Sequence, residues 1–223
     1  MVSHIKGFIP DCVLLHVRSQ ATRRPVPLAP FALSKGERTK RRILDGAFSL
    51  FIGVHAEAFT LRNLAGALGM RIGNLTYHYQ SKSELLEAMV LDRLATYADE
   101  ILTLLESEEP SPMAALEGLI AYLVRDLREP GIAFFPQLWA LALTDPRAAE
   151  LMEEIHEQER QVIASLIQAC KPDWQPMACD ALALHLVAAI EGLTIFVGRN
   201  HKSQGIYAAP EQELLRVLRT ALD

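Results

Sequence analysis

The sequence predicts an all-α protein: an N-terminal three-helix head built around a helix-turn-helix, followed by a larger helical body. Three observations predict it. Residues 60–82 read TLRNLAGALGMRIGNLTYHYQSK, two short helical patterns joined by a glycine turn. Elsewhere apolar residues recur at helical spacing between Pro, Gly and polar breaks, and no stretch alternates as a strand does. Charge is lopsided. Residues 1–82 hold twelve Lys/Arg against four Asp/Glu, a net +8, whereas residues 83–223 hold ten against twenty-three, a net −13. A basic end on an acidic body is the distribution of a chain that meets phosphate at one end only.

The 223 residues, half of them apolar, suffice for one or two domains with a sizeable core. Cys12, Cys170 and Cys179 show no CxxC spacing. Their odd number argues against a disulfide framework and for a reducing cytoplasm. His185 and Glu191 interrupt the longest apolar run, so no membrane span is expected.

Residues 1–34 differ from the rest. Pro10, Pro25, Pro27 and Pro30 break any long helix, and a mostly disordered arm is expected, with Arg18, Arg23 and Arg24 available for phosphate. Pro10 and Asp11 cut its apolar segment, which argues against a signal peptide. The head spans residues 35–82. Its first helix starts near residues 35–37 and runs to 51 or 52, with Ile43, Ala47 and Phe51 recurring every four residues beside Leu44 and Phe48. Arg38, Lys40, Arg41 and Arg42 lie at its start, where each is a candidate for phosphate contact or for a solvated charged end.

Thr60 is suited to cap the second helix, because its hydroxyl can accept from free N–H groups of the first turn. Leu61, Leu64, Ala65 and Leu68 give that helix one apolar face. Gly69 ends it by entering the left-handed region without a Cβ penalty, and Met70 fills the gap behind it. Leu75 and Tyr79 turn a third helix back onto the second. Its outer face then presents Arg71, Ile72, Asn74, Tyr77 and His78, a polar and aromatic helix of the kind that enters a DNA major groove.

The body covers residues 83–223 and reads as helices throughout. Ser83 is expected to cap a helix reaching residue 106, with Leu85, Leu86, Met89, Val90 and Leu94 buried. Further helices are expected over residues 113–127, 133–143, 146–170, 176–198 and 210–222, separated by Pro- and Gly-containing breaks.

Residues 39–86 resemble the DNA-binding domain of the TetR family of bacterial regulators. The resemblance is carried by Thr60 and Arg62, Leu64-Ala65, Leu68-Gly69-Met70, Gly73-Asn74-Leu75, Tyr77-His78-Tyr79 and Ser81-Lys82. Arg71, Ile72 and Thr76 depart from the common pattern, all on the reading face. The rest of the chain matches only in length and helical character. The resemblance implies a homodimer that binds a palindromic double-stranded operator and releases it when a small molecule occupies the body and swings the helix that begins at Ser83.

The expected DNA-binding set is Arg62, Arg71, Ile72, Gly73, Asn74, Thr76, Tyr77, His78 and Lys82. Asn74 has the amide geometry to read adenine N6 and N7, and Arg71 the fork to read guanine O6 and N7 or to hold phosphate. Met113, Tyr122, Phe134, Phe135, Trp139, Met152, His156 and His185 are candidates to line an apolar effector pocket, with plain core as the alternative for the aromatic stripe. For the dimer, the helix over 176–198 offers Leu182, Ala188, Ala189, Gly192, Leu193 and Phe196, and the last helix Leu214 and Leu218. The alternative is that both helices close the monomer core.

An enzyme reading finds little to rest on. Glu153 and His156 form one E-x-x-H pair, but the second pair that di-iron bundles need is missing. No phosphate loop, HExxH, GxSxG or zinc spacing occurs, so no cofactor or metal is expected. The expected function is a repressor released by a small apolar molecule. The alternatives are an activator of the same build, or an all-α enzyme or cofactor-binding protein with a vestigial helix-turn-helix.

Overall fold

The computed structural model describes residues 18–19, 22–26, 33–53, 58–105, 111–126, 133–197 and 209–222. Among them are nine α-helices and no strand: α1 (Lys35–Gly53), α2 (Leu61–Ala67), α3 (Ile72–His78), α4 (Lys82–Leu105), α5 (Pro112–Asp126), α6 (Phe134–Ala142), α7 (Pro146–Cys170), α8 (Pro176–Val197) and α9 (Pro210–Leu222). The expected breaks over residues 106–110, 127–132 and 198–208 lie outside the described residues, as does most of residues 1–34.

The described residues fall into two compact units. One is drawn from Gln20–Tyr97 and Ala133–Glu154, the other from Met1–Ser19, Ala98–Ile132 and Ile155–Asp223. In the first, Ile43, Leu44, Ala47 and Phe51 of α1 are buried together with Leu64 and Ala65 of α2, Leu75 of α3, Tyr79, and Leu85, Leu86, Met89 and Val90 of α4. Phe51 sits 5.0 Å, ring to ring, from Phe59 and 5.5 Å from Phe134 of α6, while Phe48 stacks on Phe134 at 5.6 Å. Phe134, expected to line a pocket, is thus a core ring, 1% exposed, packed on α1.

Caps set the helix starts. Ser34 Oγ accepts from the Glu37 N–H at 3.2 Å, and the Glu37 carboxylate accepts the Ser34 N–H at 2.7 Å. This reciprocal pair satisfies two orphan donors at the start of α1 and holds the Glu37 carboxyl below its ordinary range. At α4 the capping hydroxyl belongs to Ser81, not Ser83: Ser81 Oγ accepts from the Glu84 N–H at 3.0 Å, and Glu84 accepts the Gln80 N–H at 2.7 Å. Ser83 lies inside the first turn, where its hydroxyl has no such donor to reach.

Residues 22–26 also differ from the expected disordered arm. They lie against α1 and α4, with Val26 fully buried, Arg24 beside Asp92 and Arg23 3.8 Å from Glu154.

In the second unit α9 packs on α5. Arg219 of α9 grips Glu117 of α5 through two hydrogen bonds of 2.6 and 3.0 Å, which holds that carboxyl below its ordinary range. Leu214 and Leu218 are 9% and 0% exposed. Both are buried within the chain, whereas Val217 of the same helix is 47% exposed. The α7–α8 turn is tied by Gln168, whose amide donates to the carbonyls of Lys171 and Trp174. Arg160 of α7 pairs with Asp180 of α8.

One expectation about α8 needs correction. By length and mean hydropathy (1.4), its residues Pro176–Thr194 suffice to cross a membrane, with only 28% of them buried. His185 and Glu191 do not lower the average enough. Much of this apolar surface is left on the outside: Met177, Leu184 and Phe196 are 82%, 57% and 46% exposed.

Candidate nucleic-acid interface

The turn between α2 and α3 is closed by backbone geometry. Thr60, extended at φ −130° and ψ 153°, caps α2 by accepting from the Asn63 N–H at 3.1 Å. At the other end the Gly69 N–H donates to the Gly66 carbonyl at 3.1 Å and the Met70 N–H to the Ala65 carbonyl at 2.8 Å. These two bonds satisfy carbonyls that the helix end leaves open, and they require Gly69 at φ 61°, where a side chain would be strained. The Arg42 guanidinium of α1 donates to the Leu68 carbonyl at 2.5 Å, which ties the first helix to the same turn.

Leu75, fully buried, and Tyr79, 4% exposed, fix the inner side of α3. Burial pushes the Tyr79 hydroxyl up to about 12. The outer side is then set by the helical period. Arg71, Gly73 and Asn74 are exposed, Ile72 is 46% and Tyr77 82% exposed, and His78 is half-buried with its ring 5.1 Å from that of Tyr77. Arg62 is exposed on α2, and Lys82 is half-buried with its ammonium 5.8 Å from the Phe59 ring centre.

Among the described residues, the side chains of Arg62, Arg71, Asn74 and His78 make no hydrogen bond or ion pair. Arg62, Arg71 and Asn74 thus offer their donors and acceptors to water, with no partner for them among the described residues. Thr76 is different: its hydroxyl donates back to the Ile72 carbonyl at 3.1 Å, so its hydrogen is committed within α3.

The basic run at the start of α1 is largely engaged internally. Arg38 donates to the Leu33 carbonyl at 2.6 Å, and Arg41 grips Asp92. Together with Arg42, Asp45, Gly46, Ser49, Leu33 and Leu68 they line an open groove of about 490 Å³. Sequence reasoning offered all four basic residues to phosphate. It missed the internal partners, because nothing local announces a contact with α4.

The expected pocket residues divide between the two units. Phe134, Phe135, Trp139 and Met152 lie in the first, and Met113, Tyr122, His156 and His185 in the second. Trp139 is half-buried with its indole N–H buried and unpaired. Tyr122 is 8% exposed and donates to Glu100. His185 is exposed, with Nδ1 2.6 Å from the Ala181 carbonyl, so it points along its own helix.

His156 Nε2 lies 3.7 Å from Glu191 Oε1, and the buried His156 Nε2 and Glu191 Oε2 have no hydrogen-bond partner. Glu159, one helical turn from His156, was not among the expected residues. Burial, and then the Glu191 carboxylate, push its carboxyl up to about 8. Its i, i+3 spacing from His156 was the available signal. Burial raises the Cys170 and Cys179 thiols, which makes both poor nucleophiles. Among the described residues no group of three or more His, Cys, Asp or Glu is placed to hold a metal ion.

Two family models match the chain. One described as bacterial regulatory proteins, tetR family, covers residues 43–89, and one described as BetI-type transcriptional repressor, C-terminal, covers residues 112–223. No curated protein matches. Several solved structures share the fold. A protein of Pseudomonas aeruginosa PAO1 is 12% identical with a TM-score of 0.70, over 87% of this chain and 93% of its own. A protein of Saccharomonospora viridis solved in complex with choline is 21% identical with a TM-score of 0.64, over 82% and 94%. NalD, the secondary repressor of the MexAB-OprM multidrug efflux pump in Pseudomonas aeruginosa, is 19% identical with a TM-score of 0.59, over 84% and 98%.

Proposed function

The chain belongs to the tetR family of bacterial regulatory proteins, and from that premise we propose that it is a dimeric repressor that leaves its operator when a small molecule binds. The observation that carries the DNA half of the reading is the outer side of α3. Arg71 and Asn74 stand there without a hydrogen bond or ion pair among the described residues, beside the paired rings of Tyr77 and His78, on a helix whose other side is buried. Residues 35–82 act as the reading head, with Arg62 and Lys82 on phosphate or base edges at its flanks, and residues 83–223 as the effector and dimer body. Ile72 and Gly73 allow close approach, Ile72 by apolar contact with a thymine methyl and Gly73 by having no side chain.

The dimer forms through α8. Its Leu184, Ala188 and Phe196 are exposed apolar positions beside Leu182, Ala189, Gly192 and Leu193, and a second copy would cover them. Two heads so joined read a palindrome in successive turns of the major groove.

The effector has an apolar body, for which Tyr122, in the same unit as His156, Glu159 and Glu191, is a candidate contact. The carboxyl of Glu159 favours a positively charged end on that molecule, since a nearby cation stabilises the carboxylate that burial disfavours. The relative solved with choline gives that chemistry a precedent of fold. Such a protein acts in the cytoplasm, where free thiols at Cys170 and Cys179 persist.

Selection of bound DNA from a random pool tests the reading. A single palindromic motif is the expected result, and no enrichment would sink it. Titration of the selected operator complex with choline-like cations and with neutral apolar molecules then ranks the effector classes.

A further inference from the structure

Residues 22–26 and α1 bring two arginines to one carboxylate of α4. Arg41 grips Asp92 with both ends of its fork, Nη1 2.6 Å from Oδ2 and Nη2 2.5 Å from Oδ1. Arg24 Nη1 lies 3.4 Å from the same Asp92 Oδ1 and 3.2 Å from Thr96 Oγ1, whose hydroxyl donates to the Asp92 carbonyl. Arg41 Nη2 also donates to the Val26 carbonyl at 2.8 Å, and the Val26 side chain is fully buried.

The three charged side chains are little exposed, 9% for Arg24, 16% for Arg41 and 18% for Asp92. Arg41 Nη1 also lies 3.5 Å from Asp45 Oδ1, so the cluster is a part-buried network of ion pairs. That is a poor source of net stability. What the bidentate fork does supply is fixed geometry. Tyr79, which ends α3, is buried in the same unit, and the charges of Arg41 and Asp92 both bear on its hydroxyl.

We propose that Asp92 is a positioning residue for operator binding: by clamping Arg41 and Arg24 it fixes α1 and residues 22–26 against the first part of α4, and so makes residues 22–26 a working part of the head that carries α3. Arg24 and Arg41 act inside the protein, not on phosphate. The proposal rests on the operator-binding reading of the head.

The two uses of the arginines predict opposite signs, which makes the test sharp. Full-length wild type, D92N, R24Q and D92E are titrated with the selected operator over a series of salt concentrations, at a temperature well below each melting transition. With the clamp, D92N and R24Q each weaken binding by roughly tenfold or more with an unchanged salt slope, D92E recovers most of the loss, and D92N with R24Q costs little beyond D92N alone. If the arginines neutralise phosphates, D92N frees them and tightens binding, while R24Q lowers the salt slope by about 0.9. Either result overturns the clamp. So does a D92N or R24Q variant that melts earlier yet binds as wild type does, since that is a role in stability alone. Wild type that enriches no sequence overturns the operator reading and this inference with it.

Discussion

Gly46 of α1 and Leu68 at the end of α2 meet with no space for a side chain between them: a Cβ on residue 46 would come within 2.6 Å of Leu68 Cδ2. The residue that yields its side chain lies where the first helix crosses the turn of the reading motif. Gly46→Val is expected to destabilise the folded chain by about 1–3 kcal/mol through overpacking. Urea melts check it. A variant as stable as wild type would mean that Leu68 swings aside at no cost.

Asn74→Ala is expected to cost about 1–3 kcal/mol in operator affinity and to relax preference at one base pair in each half-site, because a bidentate amide reads one adenine. Lys82→Ala is expected to weaken all sequences alike and to flatten the salt slope by about 0.9, as loss of one phosphate contact does. Repeating the random-pool selection with each variant separates base reading from phosphate contact. An unchanged motif with Asn74→Ala would remove that residue from the reading set.

Gly192 offers a clean test of the dimer. A Cβ there meets nothing within 4 Å among the described residues, so a large side chain is expected to disturb a second copy before it disturbs the fold. Gly192→Trp is expected to keep full helical circular dichroism, to sediment as a monomer or a much weaker dimer, and to lose operator affinity with the reading face intact. Wild-type protein that is monomeric at micromolar concentration would end the assignment of α8 to the dimer.

Glu159 predicts a pH dependence with a definite sign. Its folded-state pKa of about 8 lies above the ordinary carboxylate value. Between the two the folded chain holds a proton that the unfolded chain has released, so stability falls as pH rises towards about 8 and levels off beyond it. E159Q keeps the shape and removes the titration. Its melting temperature is expected to be flatter than that of wild type over this window and higher at its alkaline end. Parallel curves for the two proteins would show that Glu159 is ordinarily ionised.

Helix positions were legible because their signals are local. Pro146 and Pro210 open α7 and α9 at the positions expected, and Thr60 and Gly69 bracket α2 as their chemistry requires. The outer side of α3 followed from the period alone. Ser81 was legible too, since Glu84 follows it at capping-box spacing, but Ser83 offers the same hydroxyl and was preferred. What periodicity does not carry is the identity of the partner. It marks Leu214, Leu218 and Phe134 as buried without saying whether a second copy, a ligand or the chain's own core buries them. It also leaves arginines 41 and 24 looking free, because Asp92 lies far along the sequence from both.

The contact of Phe134 with Phe48 and Phe51 bears on modular engineering. Regulators of this build invite exchange of heads between proteins, with the seam placed just after the reading helix. Here a graft that ended at residue 82 would carry Phe51 into its host without the ring that covers it, and would also leave behind Leu85, Leu86, Met89 and Val90. A transplant that keeps its own hydrophobic core must take α6 as well as α4, two pieces of chain separated by α5. A chimera respecting that rule would inherit the donor's operator, and one cut at the motif would inherit an exposed aromatic patch.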